Sequence, residues 1–113
     1  MLRRTDKSEG TIYMLTGKQR AFLRKLGHDL QPVLQIGKDG LTDTVTAAVD
    51  EVLEKRELVK ISILETAMLD TRETCDELAG RLKAEPVQAI GSKFVIYRRS
   101  GTEKNRKIEL PRK

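Results

Sequence analysis

Apolar positions in this chain repeat with two different periods, and the switches between them lay out the secondary structure. From Thr16 the spacing is helical: Phe22, Leu23, Leu26 and Leu30 share one face, as a repeat near 3.6 residues requires. Thr16-Gly-Lys-Gln19 opens this segment as a capping box. Gln31-Pro32 closes it, because proline disfavours helical geometry in the residue before it. Val33 to Ile36 then reads as a first strand. Helical spacing resumes after Thr42, which caps a second helix predicted to reach about Arg56. Leu41, Val45, Ala48, Val49, Val52 and Leu53 point inward on it, and Asp43, Asp50, Glu51 and Glu54 point outward. In Leu58 to Leu64 the period drops to two, with Val59, Ile61 and Ile63 alternating with Lys60 and Ser62, the signature of a strand covered on one face.

The second half repeats the theme. Asp70-Thr-Arg-Glu73 is another capping signal, and the helix it starts runs to about Ala84, burying Cys75, Leu78, Ala79 and Leu82. Pro86 ends that helix and starts a third strand, Val87 to Ile90. Gly91-Ser92-Lys93 is a hairpin connection to a fourth strand, Phe94 to Arg99.

The order α-β-α-β-α-β-β predicts an α/β fold of α+β-like, two-layer character around a four-stranded mixed sheet. Strands one and two should pair in parallel through a right-handed crossover, and strands three and four antiparallel. Helices two and three should cover the face supplied by Val59, Ile61 and Ile63, with helix one closing one end or flank of the sheet. Ile108 and Leu110 are candidates for a short edge pairing. Residues 1–13 lack periodicity and read as a flexible extension, 14–100 as one domain, and 101–113 as a basic tail.

Charge sharpens this picture. The net charge is +5, and the segment from Arg98 to Lys113 carries seven bases against two acids, so the rest of the chain sums to zero. In helix one, Lys18, Arg20, Arg24, Lys25 and His28 occupy the arc opposite the apolar stripe, with no acid among them. Such asymmetry points to a polyanion on one side of the molecule.

Catalytic chemistry is hard to assemble from these residues. His28 is the only histidine and lies on a polar helical arc; as an ordinary surface residue or a minor phosphate contact it has no second ligand at metal spacing. Cys75 falls on a buried stripe, where a thiol serves as a small core hydrophobe, and one cysteine builds neither a disulfide framework nor a cysteine zinc site. The carboxylates lie on outer helical faces instead of converging. No apolar run has the length of a membrane span, and the charged N-terminus does not resemble a signal peptide. These features predict no enzyme activity, cofactor, metal, membrane or small-molecule substrate, and a cytoplasmic monomer.

One stretch draws the rest together. Gly37-Lys38-Asp39-Gly40 joins the first strand to the second helix. Glycine corners open the backbone to close approach, the helix behind aims free N–H groups at the same spot, and Lys38 adds a mobile charge. Gly-x-x-Gly loops clamp the sugar-phosphate backbone in KH modules. This loop lacks the Lys-Ser/Thr ending of a nucleotide-binding P-loop. Asp39, beside Lys38, lowers the local positive charge and either turns outward or caps the helix. The candidate contacts are therefore Gly37, Lys38, Asp39 and Gly40 of the loop, Lys18, Arg20, Arg24 and Lys25 of helix one, and Arg98 and Arg99 of the tail. Aromatics for base stacking are few: Tyr97 is the best candidate, with Phe94 assigned to the core. No helix carries the polar residue set of a DNA recognition helix.

From Leu15 to Lys113 the chain resembles the stand-alone bacterial YhbY family of CRM-domain proteins. The resemblance rests on Leu15-Thr-Gly-Lys-Gln-Arg-Ala-Phe-Leu-Arg24, Pro32-Val-Leu-Gln-Ile-Gly-Lys-Asp-Gly-Leu-Thr42, Glu57-Leu-Val-Lys-Ile61, Val87-Gln-Ala-Ile-Gly-Ser-Lys-Phe-Val-Ile-Tyr-Arg98 and Lys107-Ile-Glu-Leu-Pro-Arg112. It implies a fold similar to the C-terminal domain of bacterial translation initiation factor three, preceded by an extra helix. It also implies RNA binding through the Gly-x-x-Gly loop, with ribosomal RNA in precursors of the large ribosomal subunit as partner. An alternative from another class is a small protein-interaction adaptor that uses the acidic faces of helices two and three.

Overall fold

The computed structural model describes residues 15–111; the expected extension, residues 1–13, lies outside the described residues, as do Met14, Arg112 and Lys113. The elements follow in the order α1 (Gly17–His28), β1 (Leu34–Ile36), α2 (Asp43–Arg56), β2 (Leu58–Ile63), α3 (Thr71–Leu82), β3 (Glu85–Ile90) and β4 (Lys93–Tyr97), with single 3-10 turns at Glu65–Ala67 and Glu103–Asn105. All three expected caps are present. Thr16 forms a full capping box with Gln19, the Thr42 hydroxyl accepts from Val45 N–H, and the Asp70 carboxylate accepts from Glu73 N–H.

The sheet order is β1-β2-β4-β3. β1 and β2 are parallel and β3 and β4 antiparallel, as the sequence predicts; β2 also pairs with β4, antiparallel, a neighbour relation absent from the sequence-based expectations. β3 starts at Glu85, one residue before Pro86. Proline is tolerated there because β3 is an edge strand with one side unpaired. A register shift between Pro86 and Gln88 marks a bulge in the same strand.

One face of the sheet presents Ile36, Val59, Ile61, Ile63, Phe94 and Ile96 to Val49 and Leu53 of α2 and to Cys75, Leu78, Ala79 and Leu82 of α3. This is the β–α layer pair expected from the alternation in β2. Helix one departs from expectation: it lies over the opposite face, not at an end. There Leu23 packs on Leu58, Val87, Val95 and Tyr97, flanked by Phe22, Leu30, Ile108 and Leu110. The polar alternates Lys60 and Ser62 suggest a solvated face, but the same parity in β4 supplies Val95 and Tyr97, and those apolar positions need a cover.

The segment after β4 is held in place. Glu57, buried and with φ of 68°, accepts hydrogen bonds from Ser100 N–H at 2.8 Å, Lys107 N–H at 3.2 Å and Ile108 N–H at 3.3 Å. Glu54 takes Gly101 N–H at 2.8 Å, Thr102 N–H at 3.0 Å and the Ser100 hydroxyl at 3.0 Å. The Ser100 hydroxyl, with these N–H groups and Arg98, holds the Glu54 carboxyl below its ordinary pKa despite partial desolvation. Ile108 and Leu110 accordingly form no edge strand; they pack beside α1 on the sheet.

Candidate nucleic-acid interface

β1 delivers the Gly-x-x-Gly turn to the rim of the sheet. Ile36 is fully buried, and its carbonyl accepts Leu64 N–H at 2.9 Å, fixing the last strand residue before the turn. Gly40 N–H then donates to the Gly37 carbonyl at 3.0 Å, closing the turn, and Thr42 N–H donates to the Gly40 carbonyl at 3.0 Å. Gly40 has φ of +72°, a left-handed geometry that costs other residues steric strain. Gly37 needs no such freedom. A β-carbon there would meet only Leu64 Cδ1, at 3.8 Å, and one at Gly40 would meet nothing within 4 Å. The outer side of the turn is therefore open to a ligand. Lys38 and Asp39 are both exposed at the tip. Thr42, not Asp39, caps α2.

Sheet register extends this site sideways. Gln35 pairs with Ser62, Ser62 with Lys93, and Lys93 with Ile90, forming one row across the sheet on the face that α1 occupies further down. The row lies below the turn and next to the Gly91–Ser92 hairpin, whose Ser92 carbonyl accepts Ile63 N–H at 2.7 Å. At its β1 half, Val33, Gln35, Ser62, Leu64, Ser92 and Lys93 help line a cleft of about 510 Å3. Lys60, half-buried, reaches the His28 carbonyl at 3.4 Å, where a cation favours the negative end of α1. Gln35, Ser92 and Lys93 are exposed, whereas Ser62 is buried; the exposed amide, hydroxyl and ammonium groups beside a glycine-rich turn can grip phosphate and sugar oxygens.

The candidate contacts read from the sequence do not form one cluster. Lys18, Arg24 and Lys25 are exposed on α1, on the same sheet face as the row. Arg20 is tied to Glu85 at 3.4 Å, and Arg24 lines a cleft at the β3 edge, the opposite edge from β1. Arg98 and Arg99 follow β4, which begins at Lys93 beside the row and ends at Tyr97, so they lie at the far end of the sheet from the turn. Arg98 is committed inside the molecule. It donates to the Asp50 carboxylate at 2.7 Å and to the carbonyls of Leu82 and Asp50 at 3.0 and 3.2 Å, and lies 3.6 Å from Glu54. Arg99 stays exposed. Tyr97 is corrected as a stacking platform: it is buried under α1 and the C-terminal segment. Phe94 is in the core as expected.

Sequence reasoning missed Gln35, Ser62 and Lys93 as one row. Their parity is readable, but the adjacency of β2 and β4 skips a strand in sequence and so leaves no local signal. Among the described residues no group of three histidines, cysteines or acids could hold a metal ion, and no helix is long and apolar enough to cross a membrane. Burial, with Asp76 nearby, pushes the Cys75 thiol up to about 12, so it stays protonated and unreactive.

The CRS1 / YhbY (CRM) domain family matches residues 15–98. YqeI of Bacillus subtilis is 41% identical over 98 residues, which cover 87% of this chain and 100% of that one. A Haemophilus influenzae protein named RNA-binding protein is 36% identical over 99 residues, 88% of this chain and 97% of its own. The solution structure of a hypothetical protein from Staphylococcus aureus superposes with a TM-score of 0.73 at 44% identity, covering 87% of this chain and 100% of that chain. A glycine-cornered turn at the rim of a β1-β2-β4-β3 sheet, together with a match to nearly the whole described chain, makes this protein a member of the CRS1 / YhbY (CRM) domain family.

Proposed function

We propose that this protein binds structured ribosomal RNA through the Gly37–Gly40 turn and the exposed Gln35, Ser92 and Lys93 beside it, and that it assists assembly of the large ribosomal subunit in the cytoplasm as a non-enzymatic monomer. The observation that carries the reading is the turn itself: both glycine corners have free space outside them, the α2 N-terminus follows directly, and Lys38 is exposed at the tip. The Haemophilus relative's name, RNA-binding protein, supports the same class of ligand. With Tyr97 and Phe94 both buried, recognition rests on phosphates and RNA shape more than on base stacking.

The adaptor alternative has less support. Asp50 and Glu54 of the acidic α2 face are engaged by Arg98 and by the C-terminal segment, which leaves that face partly neutralised.

Filter binding of ribosomal RNA by Gly37→Asp and Gly37→Ala tests the proposal. Neither substitution meets a clash or a left-handed φ, so the circular-dichroism spectrum should be native. Gly37→Asp should lose RNA binding by charge repulsion, and wild-type affinity should fall steeply with added salt as condensed counterions are released. A folded Gly37→Asp protein with wild-type affinity overturns the role of the turn. Co-sedimentation with large-subunit precursors that is lost after ribonuclease treatment is the expected cellular result, whereas a nuclease-resistant complex favours the adaptor.

A further inference from the structure

At the sheet edge remote from the Gly37–Gly40 turn, α1 and α3 overhang the unpaired side of β3 from opposite faces and enclose a cleft of about 410 Å3. Its cationic lining is Arg20 and Arg24 from α1 and Arg72 from α3, completed by Cys75 and by residues 86–89 of β3. Few acceptors answer these guanidinium groups. Glu85 lies 3.4 Å from Arg20, and Asp76 lies 3.6 Å from Arg72 in a largely exposed pair. Arg24 makes no ion pair among the described residues. Arg20 is only partly served, because its Nε is shielded from solvent with no hydrogen-bond acceptor, the sole side-chain nitrogen or oxygen in that condition among the described residues. Burial meanwhile pushes the Glu85 carboxyl above its ordinary pKa, against the pull of the Leu15 N–H and of Arg20.

We infer that this arginine cleft is a second phosphate-binding site, which engages a different segment of the RNA bound at the turn. The planar, multi-donor guanidinium matches phosphate oxygens in pairs, and arginines from two helices converge here although they are far apart in sequence. An extended acidic peptide adding to β3 is the competing occupant. It is disfavoured by Pro86, which lacks an N–H, and by the bulge between Pro86 and Gln88; both are devices that block strand addition at edges. The inference rests on the RNA reading above and narrows its ligand. β1 and β3 are separated by three strand spacings, about 14 Å in all. A folded or paired RNA broad enough to reach both sites gains from both, and a short oligonucleotide held at one site does not.

Two measurements test this separately from the role of the turn. In the first, inorganic phosphate is titrated into the full chain while the arginine Nε–H resonances are followed by NMR. The Arg20 signal should shift saturably, and the shift should vanish in Arg24→Gln/Arg72→Gln, two exposed positions that leave the fold intact. No shift, or one that survives in the double variant, overturns the site. In the second, binding of fragmented large-subunit ribosomal RNA is measured against salt. The double variant should reduce the slope of log affinity against log salt by about 1.4–1.8, the loss expected for two phosphate contacts. An unchanged slope overturns use of the cleft by RNA. If the wild-type protein binds no RNA at all, the RNA reading fails, and the phosphate titration still decides whether the cleft binds anions.

Discussion

Gly27 of α1 lies directly against Val95 of β4: a β-carbon at position 27 would stand 3.2 and 3.3 Å from the two methyl groups of Val95. This contact lets α1 settle closely onto the sheet face, below the row formed by Gln35, Ser62 and Lys93. Val95 is buried and β-branched, with little freedom to rotate away.

Gly27→Ala should therefore destabilise the protein by about 1 kcal/mol or more through overpacking, although alanine in a helix is favoured over glycine by about 1 kcal/mol. In a Val95→Ala background the clash is gone, and the same substitution should become stabilising. Urea unfolding of the four proteins in this cycle measures the coupling. An alanine at position 27 that stabilises both backgrounds would show that α1 shifts freely on the sheet.

The two glycines of the turn should differ in stability. Gly40→Ala places a β-carbon on a residue with φ of +72° and should cost roughly 1–2 kcal/mol. Gly37→Ala has room and ordinary geometry and should fall within about 0.5 kcal/mol of wild type. Thermal melts of the two variants check this without any ligand.

Glu54 and Glu85 should give opposite pH signatures. The Glu54 carboxyl is held below its ordinary pKa, so its stabilising contribution is complete above the ordinary carboxylate range and is lost as pH falls through the lowered value. Glu54→Gln should therefore lie furthest below wild type in melting temperature at neutral pH and converge on it in acid. Burial raises the Glu85 pKa, so its contribution is present below the ordinary value and lost as pH rises through the raised one. Glu85→Gln should compare more favourably with wild type at neutral pH than in acid.

Arg98 and Arg99 are neighbours with different roles. Arg98→Ala abandons the Asp50 carboxylate and the Leu82 carbonyl and should cost about 1–3 kcal/mol of stability, with the salt slope of RNA binding unchanged. Arg99→Ala should leave stability within about 0.5 kcal/mol of wild type and lower the slope by about 0.7–0.9 if Arg99 meets a phosphate. Paired melts and salt titrations distinguish these outcomes.

Local chemistry was legible in advance. Thr16, Thr42 and Asp70 announced the three helices because capping is a matter of a few adjacent residues, and Val59, Ile61 and Ile63 announced a strand because alternation is local too. The Gly37–Gly40 turn was visible as a motif. Its mechanical basis was not, since only the backbone shows that Gly40 requires a left-handed φ while Gly37 does not. The charge of Arg98 was equally visible and its partners were not: Asp50 and Leu82 lie far away in the chain and become neighbours only when α2 and α3 pack on the sheet.

The sequence by itself determined the elements, their order, the pairing directions of β1–β2 and β3–β4, and the glycine turn, because periodicity, caps and proline act over short stretches of chain. Tertiary structure alone decided that α1 covers the second face, that Tyr97 is buried beneath it, and that Gln35, Ser62 and Lys93 align while three arginines meet at β3. Those relations depend on placing β4 between β2 and β3. That choice is settled by burying apolar surface on both faces of the sheet at once, a sum over distant residues that no local pattern encodes.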